Sequence, residues 1–210
     1  KVGEIFKFLK SNNVHNVVMI GNLQRPSLNS FRPDWRGLKT LGRIAGAFAK
    51  GDDNLLRSLR KEIENEGFSV VGVDYYLNNL TAKIGTLTKT SSTASNLNDA
   101  IAVSLQHGVN DKGQSILAHN DGTYSYEGRD GTTALIQSYG RIGSILVKTV
   151  KPNQDPDLDR PTVGIHTLEA LREKQCSGMA VQADGVLMVD KDAMIAYADA
   201  HQMFIEVVNV

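Results

Sequence analysis

The stretch Ile5-Phe6-Lys7-Phe8-Leu9-Lys10-Ser11-Asn12-Asn13-Val14-His15-Asn16-Val17-Val18-Met19-Ile20-Gly21 decides how the fold is read. Ile5, Phe6, Phe8 and Leu9 recur at helical spacing, and a short buried-strand run over 15–20 then ends at Gly21. Helix, short loop and buried strand in that order belong to a parallel α/β sheet. Further along, Leu38, Leu41, Ala45 and Phe48 line one face of a helix predicted over 33–50. Gly51 stops it, and Asp52 or Asp53 caps a second helix striped by Leu55, Leu56, Leu59 and Ile63. Gly67 closes that helix, and Phe68-Ser69-Val70-Val71-Gly72-Val73 returns as a strand. The first part therefore reads as a partial Rossmann-like parallel α/β domain over 1–81.

Residues 82–95 lose the apolar period and are read as a linker, with a second domain over 96–210. A helix over 96–108 opens that domain. Two Asp-Gly pairs mark hairpins. Asp121-Gly122 joins strands at 115–118 and 123–126, and Asp184-Gly185 joins strands at 179–181 and 186–189. A helix near 131–141, a strand at 144–149, helices near 167–175 and 191–201, and a strand at 203–208 complete a mixed α/β domain. No internal repeat is visible.

Composition bounds the function classes. Hydrophobic residues make up 41% of the 210 and charged residues 22%, enough for a packed core. Net charge is zero, which argues against a dedicated nucleic-acid binder. The balance conceals an asymmetry: residues 1–88 carry a net charge of +5 and residues 89–210 a net −5. A basic half suits phosphates and an acidic half suits metal ions, although two surfaces attracting one another explain the pattern equally well. Cys176 is the single cysteine, so no internal disulfide forms and a reducing, cytoplasmic setting fits. No run approaches the roughly 18 apolar residues of a membrane span.

No dinucleotide glycine motif, Walker loop, CxxC, HExxH or nucleophile elbow is present. The five histidines, His15, His107, His119, His166 and His201, are scattered and read as packing or surface residues. Three loops remain. The stretch Lys151-Pro152-Asn153-Gln154-Asp155-Pro156-Asp157-Leu158-Asp159-Arg160-Pro161-Thr162-Val163-Gly164 places three carboxylates within five positions between prolines that fix the backbone. Carboxylates are hard ligands that suit Mg²⁺, and a solvated acidic turn is the plain alternative. Gly21-Asn22-Leu23-Gln24-Arg25-Pro26 follows a strand's carboxyl end, where open α/β sheets bind ligands. Glu127-Gly128-Arg129-Asp130-Gly131-Thr132-Thr133 precedes a helix and offers backbone N–H groups to an anion, or simply caps the helix.

Together these loops resemble the UDP-2,3-diacylglucosamine pyrophosphatases, a family formerly grouped as a domain of unknown function. The resemblance runs through Val2-Gly3-Glu4, Gly21 with Arg25-Pro26, and Arg36-Gly37-Leu38-Lys39. It continues through Lys50-Gly51-Asp52-Asp53, Leu55-Leu56-Arg57, Gly113-Gln114, and Glu127 with Gly131-Thr132. Its most specific part is Lys151-Pro152, Gln154-Asp155, Asp159 and Pro161-Thr162-Val163-Gly164. The resemblance implies a two-domain enzyme that holds its ligand between the halves. It implies hydrolysis of UDP-2,3-diacylglucosamine to UMP and 2,3-diacylglucosamine 1-phosphate in lipid A synthesis, with Mg²⁺.

By motif position, Asp159 matches the critical aspartate, with Gln154 and Asp155 supporting it and Asp159 and Asp155 as metal ligands. Asn22, Arg25, Gln114, Glu127, Gly131, Thr132 and Thr162 are the implied substrate residues. The pattern departs at Thr133, where an aspartate is common, and at Arg160, where an apolar residue is usual. Family members open with an apolar strand and a Gly-rich loop, so a preceding segment is expected to be missing before Lys1. The substrate is a lipid, so peripheral contact with the inner membrane is expected. Apolar surface left by the incomplete first domain points to a homodimer. Two other classes stay open: a non-catalytic nucleotide-sugar or lipid-binding module, and a structural interaction protein.

Overall fold

A computed structural model describes residues 2–21, 52–92, 96–109, 113–152 and 154–210. Its contacts divide the chain into two compact units. The first gathers Lys1–Tyr76 and, from far along the chain, Asp155–Asp159. The second gathers Leu77–Gln154 and Arg160–Val210. The helix expected over 33–50, and with it Asn22 and Arg25, lies outside the described residues.

In the first unit, helix α1 (Val2–Ser11) leads into strand β1 (Asn16–Val17), and helix α2 (Asp52–Asn65) leads into strand β2 (Ser69–Val70). The strands pair in parallel, with Asn16 opposite Ser69 and Val17 opposite Val70. Among the described residues β1 pairs with β2 alone, so the ladder ends where Val71 N–H reaches Val17 O at 3.1 Å. The apolar run at 18–20 therefore leaves strand geometry, and Ile20 is exposed. Phe6 stacks on Phe68 at 5.9 Å, and these rings are buried along with Leu55 and Val70.

The second unit is built on a six-stranded sheet in the order β3-β10-β8-β6-β4-β5. Its elements are β3 (Gly85–Thr86), α3 (Leu97–Val109), β4 (Ser115–Ala118), β5 (Tyr124–Tyr126), α4 (Gly131–Tyr139) and β6 (Ile145–Lys148). There follow β7 (Thr162–Val163), α5 (Ile165–Glu173), β8 (Gly178–Gln182), β9 (Leu187–Met188), α6 (Lys191–Ala200) and β10 (Phe204–Val208). β8 runs parallel to both β6 and β10, whereas β4 is antiparallel to β6 and to β5.

Side chains alternate between the two faces with the period of two that strands impose. Ile116, Ala118, Ile145, Val147, Ala180 and Phe204 form a cluster with Ala100 of α3. Leu117, Leu146, Met179, Val181 and Ile205 pack instead with Leu135, Leu168 and Met194 of α4, α5 and α6. Both faces are covered, so β4 and β6 are buried at every position and, Ser115 and Lys148 apart, read as continuous apolar runs.

Two expectations change. The Asp121-Gly122 hairpin forms between β4 and β5, but Asp184-Gly185 does not make a hairpin. β8 already has β6 and β10 on its two edges, so no ladder position is left for β9. The chain turns at 183–185, with Asp184 at φ +54°, and β9 pairs in parallel with β7 in a separate small sheet. In addition, Gly85–Thr86, inside the stretch read as a linker, forms β3 antiparallel to β10 at the edge of the main sheet.

Candidate functional site

Two polar clusters stand out, one in each unit. The second unit's cluster grows from the end of β6. Alternation puts Lys148 on the same face as Leu146, beneath the start of α4, and its side chain is only 7% exposed. Ser115 is its cross-strand partner on β4. Lys148 Nζ donates to Thr132 Oγ1 at 2.6 Å and to Ser115 Oγ at 3.1 Å, and lies 4.0 Å from Glu127 Oε1.

An ammonium has donors only, which fixes the remaining protons. Thr132, accepting from Lys148, donates its own proton to Glu127 Oε1 at 2.6 Å. Ser115, also accepting from Lys148, donates to Thr132 Oγ1 at 3.1 Å. Glu127 Oε2 accepts the N–H of Gln114 at 2.6 Å. The buried carboxylate thus has two short donors and a cation beside it, and the group is electrically balanced.

Around this cluster, His107 Nε2 donates to the Glu127 carbonyl at 3.0 Å, and Thr149 N–H donates to Gln114 O at 3.0 Å. Gly113 is required by the close approach. A Cβ there would lie 2.6 Å from His107 Nε2 and 2.8 Å from Glu127 O. The hydroxyl of Thr132 is fully committed, and Asp130 makes no side-chain bond to the helix it precedes. What the arrangement can offer an anion is therefore the positive N-terminal end of α4, held at the carboxyl end of β6.

The first unit's cluster is the acidic loop. Asp155 Oδ1 accepts the N–H of Asp157 at 3.1 Å, and Asp155 O accepts those of Leu158 and Asp159 at 3.1 and 3.2 Å, a self-closed turn. Leu158 is buried beneath it. Arg60 of α2 holds the turn from outside: Nη1 donates to Asp155 Oδ2 at 2.7 Å, Nη2 approaches Asp157 Oδ2 at 3.4 Å, and Nε donates to Glu64 Oε1 at 2.8 Å. Hydrogen bonding to Glu64 and then to Asp155 pushes the Arg60 guanidinium further above its already high range, so it stays charged. Asp157 also accepts the N–H of Gly72 at 3.1 Å. Asp159 is exposed at the end of this turn.

Residues 1–80 match the model described as LpxI N-terminal domain, and residues 82–206 match the model described as LpxI C-terminal domain. The chain belongs to the LpxI family. It is 32% identical over 218 residues to the UDP-2,3-diacylglucosamine pyrophosphatase LpxI of Caulobacter vibrioides, covering 97% of this chain and 78% of that protein. The family expected from the motifs is the family found.

In this LpxI-family chain the structure brings Gln114, Glu127, Gly131 and Thr132 together, with Gly131 at φ +82° as the first residue of α4. Asp155 and Asp159 share the acidic turn, whereas Gln154 precedes it with its N–H on Lys151 O at 3.0 Å. Thr162 is on β7, its hydroxyl donating to Arg160 O at 3.2 Å. Sequence reasoning missed Lys148, Ser115 and Arg60. A lysine ending an apolar strand is a weak signal for the first, and Arg60 reads as an ordinary polar-face residue of α2.

As for a divalent metal, the described residues contain no group of three or more His, Cys, Asp or Glu placed to hold one. Mg²⁺ seldom asks for such a cage, because one or two carboxylates with substrate phosphates and water suffice. Exposed Asp159 fits that partial role, while Asp155 is turned to Arg60. Cys176 is buried, and burial pushes its thiol up to about 11, in keeping with a packing role.

Proposed function

We propose that this chain hydrolyses the pyrophosphate of UDP-2,3-diacylglucosamine, giving UMP and 2,3-diacylglucosamine 1-phosphate for lipid A synthesis. The likeness to the Caulobacter pyrophosphatase along 97% of the chain carries the proposal. In the reaction water forms one new P–O bond, the bridging P–O bond breaks, and two phosphate monoesters leave. Such chemistry needs a positioned water and neutralised charge on the phosphoryl oxygens.

Asp159, with Gln154 and Asp155 in support, orients the water or the divalent cation. Mg²⁺, held through Asp159 and the substrate's own oxygens, would supply charge neutralisation. Gly131 and Thr132 offer substrate phosphate the backbone N–H groups at the start of α4, Gln114 and Glu127 support that end from behind, and Asn22, Arg25 and Thr162 complete the substrate set. A Rossmann-like first domain belongs to this reading, and the parallel β1–β2 pair supports it. The lipid substrate places a cytoplasmic protein at the inner-membrane surface, and a homodimer belongs to the same reading. No described helix is long and apolar enough to cross a membrane.

Asp159→Ala is expected to abolish UMP release from UDP-2,3-diacylglucosamine while leaving the circular dichroism spectrum unchanged. Turnover at the unmodified level in that variant would remove Asp159 from the mechanism. Lipid binding without UMP release by the unaltered protein would favour the non-catalytic binding module instead.

A further inference from the structure

The acidic turn is carried by the later part of the sequence, yet its fixed points are Arg60 and Gly72, which lie over eighty positions earlier. We infer that Arg60 is a positioning residue for the reaction. It holds Asp155 and Asp157 so that the turn presents the Asp159 carboxylate in one place. The inference rests on the proposed role of Asp159 and goes beyond it by naming what sets that carboxylate's position.

Four observations carry it. First, the guanidinium uses all three nitrogens, on Glu64, Asp155, and Asp157 with Val70 O. A planar fork of fixed donors can orient two carboxylates at once, which a lysine ammonium on a flexible stem does not do. Second, the same two aspartates hold the turn from inside and out. Asp155 accepts the Asp157 N–H with one oxygen and Arg60 with the other, and Asp157 accepts Gly72 N–H and Arg60 with separate oxygens. Third, the turn packs closely on Gly72: a Cβ there would meet Asp74 Oδ1 at 2.5 Å and come 3.1 Å from Asp157 Oδ1, so the Asp157 carboxylate would have to give by a few tenths of an ångström. Fourth, Leu158 is buried within the turn, so the residue next to Asp159 has little freedom. Asp159 N–H is itself bonded within the turn at 3.2 Å. A displaced reacting group one ångström out of place costs on the order of a hundredfold in rate.

The clasp also explains why Glu64 stands one helical turn from Arg60. Its carboxylate takes Nε and turns the two outer nitrogens toward the loop. Asp155, 15% exposed, is the better shielded of the two loop partners, and its 2.7 Å bond is the shorter. The Asp155 bond is therefore the stronger restraint, and Asp157 sets the angle.

The test measures UMP release from UDP-2,3-diacylglucosamine by the full chain and by Arg60→Lys, Arg60→Ala and Asp159→Ala. The expected result for Arg60→Lys is a kcat at least tenfold lower with KM within twofold of the unaltered value. Millimolar guanidinium is expected to restore part of the kcat of Arg60→Ala, which a general loss of stability would not permit. Unchanged kcat in folded Arg60→Lys overturns the inference and leaves the proposed function standing. Unchanged kcat in Asp159→Ala removes the reading beneath it as well. Should the Arg60 variants not fold, Asp157→Asn decides: a lowered kcat at constant KM supports the clasp, and an unaltered kcat overturns it.

Discussion

At the scale of single residues, the most consequential atom in the second unit is Lys148 Nζ. Its site was only half legible in the sequence. Glu127, Gln114, Gly131 and Thr132 lie close together in loops and carry polar groups, so their grouping could be suspected. Lys148 ends an apolar strand, where a lysine normally reaches water. Only the pairing of β6 with β4, and the packing of α4 above them, turns it inward. Arg60 was hidden for the opposite reason: its place on the polar side of α2 is ordinary, and its partners lie some ninety-five positions away. The balance of charge gives a clear expectation. Lys148→Met leaves Glu127 buried without its cation and should lower stability by about 3–5 kcal/mol. Urea unfolding should show that loss largely recovered in the double variant Lys148→Met with Glu127→Gln, where neither charge remains. Additive losses in the double variant would mean that the two charges are not coupled.

Elements were read better than residues, and the reasons are visible in particular cases. The β4–β5 hairpin follows from Asp-Gly chemistry: Asp121 accepts both the N–H and the hydroxyl of Thr123, and Gly122 takes φ +78°. The same dipeptide at 184–185 misled because the turn chemistry is local while the pairing is not, and β8 had no open edge. β3 could not be seen at all, since a two-residue edge strand carries no period.

His119 shows how elements are tied together. Its Nδ1 lies 2.8 Å from Ser144 Oγ ahead of β6, and its Nε2 lies 2.9 Å from Ser125 Oγ on β5. Burial chiefly, with Arg141 nearby, pulls its pKa below the usual value, while Asp121 opposes them. A proton is thus bound more readily in the unfolded chain than in the folded one, and stability must fall as pH drops through the unfolded value near 6.5. The urea midpoint should decline between pH 7.5 and pH 5.5. In His119→Gln, which keeps a side-chain donor and acceptor, that decline should be smaller.

On the scale of the whole molecule, the boundary in sequence and the boundary in contacts do not coincide. The family models meet between residues 80 and 82, but the contact units part at Tyr76 and Leu77 and give Asp155–Asp159 to the first unit. A single acidic run in the sequence therefore serves two bodies: Lys151 and Gln154 belong with the sheet, and the turn belongs with α2 and β2. No periodicity could reveal this, because it depends on one arginine and one backbone N–H far upstream. The consequence can be measured by producing residues 77–210 alone. The core strands β6, β8 and β10 draw their ladders and their apolar partners from within that segment, so their amides should keep the slow hydrogen exchange of the full chain. The turn would lack Arg60 and Gly72, and the amides of Asp157, Leu158 and Asp159 should exchange at least tenfold faster than in the full chain. Equal exchange at the turn in both proteins would mean that its internal bonds suffice, and that the first unit does not hold it.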